Sequence, residues 1–172
     1  QKLFDTPVRF RIIEKRTKQL EIFSSTICGS KLLSISCEPK SWAERKRCFV
    51  NVEQKISREG GRMLVGWMFK EHENRTIEGE AHAIWEDRYG KKRIDVTPHD
   101  FQPDRIQFLP DPRIAKKRGY TAPPKLLLSD DPYLRRMEAF SSAIDKIRDE
   151  KFDGFGKITV ILASEAEQAR IA

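Results

Sequence analysis

The chain predicts an α+β fold, with helices packed on an antiparallel sheet of about four to six strands and a C-terminal helical and strand extension. Period-2 runs fill the middle of the sequence, a 3.6-period segment precedes them, and a second amphipathic stripe follows a Pro-rich stretch. The 172 residues suit one compact domain with an appended element. The expected division is a core over 1–110, a Pro-rich basic linker over 111–130, and a helix plus final strand over 131–172 packed on that core.

Each element has a local reason. Val8, Phe10 and Ile12 alternate with Arg9 and Arg11, the pattern of a half-buried strand between about Pro7 and Ile13. The stretch from Lys15 to Cys37, with Leu20, Ile22, Phe23 and Ile27, fits a short helix or a pair of strands. From Ser41 to Glu59 the apolar spacing becomes helical through Trp42, Cys48, Phe49, Val52 and Ile56; Ser41 can cap the start and Gly60-Gly61 can end it. Strands are expected from Arg62 to Glu71 and from Thr76 to Glu86. The turn Asp87-Arg88-Tyr89-Gly90 then leads into Lys92 to Thr97, which makes an antiparallel hairpin. Asp104 to Leu109 predicts a short strand stopped by Pro110 and Pro112. Asp131 and Pro132 open a helix striped with Leu134, Met137, Phe140, Ile144 and Ile147, and Lys157 to Ala163 predicts a last strand.

Composition narrows the function classes. A net charge of +7 with 34% charged and 38% hydrophobic residues excludes disorder, and no apolar run reaches the roughly 20 residues of a spanning helix. Three cysteines at spacings of 9 and 11 make no disulfide framework, and no secretory signal opens the sequence, so a cytoplasmic, reducing setting is expected. The chain begins with Gln rather than Met, as a piece of a longer protein would. Its Lys and Arg residues are spread in short groups, at 9–18, 45–47, 91–93 and 113–118, without the concentrated stripe of a nucleic-acid binder. Such charge also serves solubility alone. Cys28, Cys37 and Cys48 with His72, His82 or His99 lack zinc-site spacing, so neither a metal nor a cofactor is expected.

One constellation carries chemistry. Cys48 lies near a predicted helix start, His82 in a strand and Asp95 in the next strand. Thiol catalysis needs a nucleophile, an imidazole to take and return its proton, and a carboxylate to hold the imidazole's tautomer. A helix N-terminus and the neighbours Arg45, Lys46 and Arg47 favour a thiolate. Glu78, Glu80, His82 and Ile84 share one strand face, and Asp95 joins it only if opposed hairpin residues sum to an odd number. Otherwise Glu80 becomes the orienter. Asn51, Trp67 and Trp85 are candidates for a substrate cleft. Taken singly, each residue also has a structural reading: Cys48 as a small buried hydrophobe, His82 as a satisfied sheet histidine, Asp95 as a turn former, the tryptophans as core.

The segments Cys48-Phe49-Val50-Asn51-Val52, His82-Ala83-Ile84-Trp85 and Ile94-Asp95-Val96-Thr97-Pro98 give this order a family likeness. Cysteine opening a helix, histidine in a strand and aspartate in the next strand resembles the transglutaminase-like and papain-like cysteine enzymes, though Arg47 stands where a small residue often precedes the cysteine. Together with Gly66-Trp67 and Phe108-Leu109-Pro110-Asp111, the same segments also resemble an uncharacterised group of bacterial proteins. The first resemblance implies a thiol-dependent hydrolase or transferase acting on an amide, such as a peptidase or amidase, with a protein or peptide substrate. The reading from a different class is a non-catalytic basic module that binds nucleic acid or an acidic protein.

Overall fold

The strongest alternating run of the sequence becomes a long hairpin around which the rest is arranged. Strand β3 (Arg62–His72) and strand β4 (Thr76–Glu86) pair antiparallel along all eleven residues of each. The computed structural model describes residues 10–73, 75–116 and 121–151; the strand expected at Lys157 to Ala163 lies outside them. In chain order the other elements are β1 (Phe10–Ile12), α1 (Lys18–Ile27), β2 (Leu33–Cys37), α2 (Cys48–Glu59), β5 (Arg93–Asp95), β6 (Arg105–Pro110), α3 (Arg113–Lys116), β7 (Lys125–Leu127) and α4 (Pro132–Lys151).

The fold is mixed α/β, with seven strands and four helices among the described residues, but the sheet is neither open nor wholly antiparallel. Strands β3, β6, β2, β5 and β4 follow one another, and the β3–β4 pairing closes them into a five-stranded barrel. Local alternation gives each strand two faces and says nothing about which distant strand lies beside it, so closure has no sequence signature. The seam is the parallel pairing of β2 with β5, where Ser36 meets Ile94 and Cys37 meets Asp95. Strand β1 extends the edge of β3, and β7 extends the edge of β4.

The stretch expected to be a linker is structured in two places: α3 lies in it, and β7 joins the sheet. The ambiguous stretch from Lys15 to Cys37 contains one helix and one strand. Thr17 caps that helix, its hydroxyl accepting from the Leu20 N–H at 3.1 Å. The second helix begins at Cys48 rather than near Ser41, because residues 41–47 are turns and the N-cap is Arg47, whose side chain makes no capping bond.

Apolar side chains fill three regions. Ile35, Met68, Ile84, Ile106 and Phe108 form one cluster from barrel strands. Helix α1 contributes Leu20 and Phe23 to a second, with Trp67, Phe69 and Leu109. Val52 and Cys48 of α2 pack with Ala83, Trp85, Ile94 and Val96 in the third, which fixes α2 against β4 and β5. Gly61, with φ of 90°, makes the sharp link from α2 into β3.

Gly66 is where β3 meets β4 on one side and β6 on the other, facing His82 and Pro110. A Cβ there would stand 2.1 Å from the Leu109 carbonyl oxygen and 2.8 Å from Phe108 Cζ. We therefore expect Gly66→Ala to destabilise the fold by about 2–3 kcal/mol in urea unfolding. Wild-type stability in this variant would show that the β3–β6 crossing is looser than described.

Candidate active site

Hairpin register decides whether His82 and Asp95 can meet. Trp85 opposes Ile94 and Glu86 opposes Arg93, so opposed numbers sum to 179, which is odd. One step further along, Asp95 falls opposite Ile84 and takes the face shared by Ile84 and His82. Their side chains meet: His82 Nε2 lies 2.8 Å from Asp95 Oδ2. Both are buried, His82 being 2% exposed and Asp95 0%.

Asp95 has two further partners. Its Oδ1 accepts from the Thr97 backbone N–H at 2.9 Å, and its Oδ2 also lies 2.6 Å from His99 Nε2. An ionised carboxylate only accepts, so each imidazole donates its Nε2–H to the shared oxygen. With Nε2 of His82 committed in this way, Nδ1 is the nitrogen left for a third group. Cys48, at the start of α2, is the group near enough to act on it: its thiol packs on the cluster that holds Ala83, next to His82, and is one of the groups that favour the protonated imidazole. The first N–H groups of a helix have no intrahelical acceptor, so α2 presents the positive end of its dipole at Cys48.

The electrostatics follow from these contacts. Burial opposes a charge on His82, but the Asp95 carboxylate and the hydrogen bonds to Asp95 and Cys48 outweigh it and raise the imidazole to about 10. Burial likewise works against ionised Asp95, and the charges and hydrogen bonds of His82 and His99 overcome it, holding the carboxyl below its ordinary range. Cys37, across the seam from Asp95, is pushed up to about 12 by burial and by Asp95, Glu14 and Asp104. Cys28 offers its thiol to the Pro110 carbonyl at 3.6 Å. Arg45 and Arg47 are engaged by Asp100 at 2.6 Å and Glu44 at 3.0 Å.

The other candidates fall elsewhere. Glu80, the substitute orienter, is half exposed and ion-paired with Lys70 of β3. Trp67 donates to Asp111 Oδ2 at 3.1 Å within the α1 cluster, apart from the cluster of Cys48. Trp85 does pack beside Cys48, but its Nε1–H is committed to the Gly60 carbonyl at 2.8 Å. Asn51 is buried and offers no face to a substrate. Its Oδ1 accepts from Glu44 N–H at 3.0 Å, and its Nδ2 donates to the Glu44 carbonyl at 2.7 Å and to Thr97 Oγ1 at 3.2 Å. It therefore ties the approach to α2 to the segment that holds Asp95.

His99 was not among the candidates expected from sequence. It follows Pro98 in the irregular segment beyond β5, and only its spacing of four from Asp95 hints at a contact. One ring nitrogen each of His82 and His99 and a carboxylate oxygen of Asp95 all lie within 4.8 Å of one another, a set that could also hold a metal ion. In comparisons with protein-family models, curated proteins and solved structures, nothing matches this chain.

The two titrations give a pH signature. His82 is raised, so its contribution to stability is complete below the unfolded value of about 6.5 and is lost as pH climbs through about 10. Asp95 is lowered, so its contribution is complete above about pH 4 and is lost on acidification. Between about pH 6 and pH 10 we expect the wild-type protein to lose about 1–3 kcal/mol more stability than His82→Gln does, measured by thermal unfolding. Parallel pH curves for the two proteins would contradict the buried ion pair.

Proposed function

We propose that this protein is a thiol-dependent hydrolase or acyltransferase acting on an amide bond, with a protein or peptide as substrate. The observation that supports this best is the 2.8 Å contact of His82 with Asp95 beside a helix start that carries Cys48, a thiol that acts on the same imidazole. In the proposed reaction Cys48 and His82 rest as a thiolate–imidazolium pair, with the proton on His82 Nδ1, and the thiolate sulfur attacks the amide carbonyl carbon. The oxyanion forms against the free N–H groups at the start of α2, the first of which belongs to Cys48 itself.

Collapse of this intermediate breaks the carbon–nitrogen bond, and the imidazolium gives its proton to the departing amine. A thioester on Cys48 remains. Water attacking it, with His82 as base, completes hydrolysis; an amine attacking it completes transfer. Asp95 keeps Nε2 protonated and so keeps Nδ1 as the basic nitrogen. His99 acts as a positioning residue, since its bond to Oδ2 restricts the carboxylate that restricts His82.

Iodoacetamide labelling read by mass spectrometry tests the assembly before any substrate is known. Near neutral pH, Cys48 should be alkylated about tenfold faster than Cys28 or Cys37, and His82→Ala should remove that advantage. Equal rates at the three thiols would dismiss the reading. Against peptide and amide substrate libraries, Cys48→Ala should lower turnover at least about a thousandfold. A smaller loss of about ten- to a hundredfold, together with a displaced pH–rate profile, is expected for His99→Ala. Turnover that survives in Cys48→Ala would remove the thiol from the mechanism.

A further inference from the structure

The positive charge that is scattered along the sequence is gathered in space. Strand β2 lines an open groove of about 370 Å³ into which Arg16, Lys31, Lys91, Arg93 and Arg105 project from the segments before, after and beside it. All five cations are exposed, and among the described residues no Asp or Glu lines the groove. Two are balanced from outside it: Arg16 by Glu21 at 3.7 Å and Arg93 by Glu86 at 2.6 Å. Among the described residues, Lys31 and Arg105 form no ion pair with a carboxylate, and Lys91 meets Asp87 only through its backbone N–H, at 2.7 Å, and the longer-range pull of that carboxylate on its charge. Arg105 is instead aimed along β2 by bonds to Ser34 Oγ at 2.9 Å and to the Ser34 carbonyl at 3.0 Å.

We propose that this groove binds the phosphate backbone of a nucleic acid. Four consecutive β2 residues line it, a span of about 13 Å. Five cations over that length are more than one carboxylate at a time can satisfy, whereas phosphates offer several acceptor oxygens each and match the guanidinium fork. The Ser36 hydroxyl adds a neutral donor. Among the described residues no aromatic side chain lines the groove to stack a base, so the proposed binding is to backbone and independent of base sequence. The proposal does not rest on the thiol chemistry, since none of Cys48, His82, Asp95 or His99 lines the groove.

Fluorescence anisotropy with a labelled 20-base-pair DNA of mixed sequence, titrated with the full chain at several salt concentrations, tests it. Two unbalanced cations, with Lys91 partly offset by Asp87, predict a slope of log affinity on log salt of about −2 to −3. Lys31→Glu with Lys91→Glu should weaken binding at least about tenfold and flatten that slope. Arg75→Glu with Arg135→Glu makes the same change in net charge outside the groove and should leave binding within about twofold. Circular dichroism and the alkylation rate of Cys48 report whether each variant keeps its fold. Absence of salt-dependent binding by the wild-type chain, or equal losses in the two double variants, would overturn the proposal. So would poly-glutamate competing as well as unlabelled DNA, since the groove would then fit an acidic peptide. Failure of any of these leaves the Cys48 reading untouched, and failure of the alkylation test leaves this one untouched.

Discussion

The buried carboxylate of Asp95 is the constraint on which the site and the seam of the barrel both depend. It is fully enclosed yet ionised, a state tolerated only because His82, His99 and the Thr97 N–H all donate to it. The backbone of the same residue completes the barrel: Cys37 pairs with it across the parallel seam, and its carbonyl accepts from the Glu38 N–H at 2.8 Å. Removing the carboxylate would strand two imidazoles, and removing the strand would open the sheet. Asn51 extends the same network to the approach of α2, through Thr97 on one side and Glu44 on the other.

Much of this arrangement was legible in the sequence, and the parts that were not have a common cause. The β3–β4 hairpin, the strand around Ile106 and Phe108, and the stripe of α4 all follow from local periodicity. Cys48, His82 and Asp95 were identifiable because their chemistry and order are suggestive, and the register rule supplied a test for the last pair. Barrel closure, the neighbours of β2 and the role of His99 depend on contacts between segments far apart or around a turn, which no local pattern encodes. The same holds for Trp67 and Asn51, whose polar atoms found structural partners at Asp111, Glu44 and Thr97.

The two ends of the short strand β5 face different tasks. Arg93 lines the basic groove and pairs with the buried Glu86, while Asp95 anchors the imidazoles. Groups of opposite character are thereby fixed two positions apart on one strand. Sequence inspection of the basic residues missed the groove because its members come from β2's flanks, β5 and β6, none of which carries a long basic run. Charge density on a surface is set by strand order as much as by composition.

Strand β4 changes partners along its length. Along the edge away from β3 it pairs with β7 at Thr76–Glu78 and with β5 at Trp85 and Glu86, and His82 stands in the gap between them. Side chains rather than a strand close that gap, since His82, Ala83 and Ile84 are buried and Val52 of α2 packs with Ala83. The imidazole is thereby held at the one stretch where β4 answers to a helix and to the carboxylate of β5 at once, so a shift of either α2 or β5 would be felt first at His82.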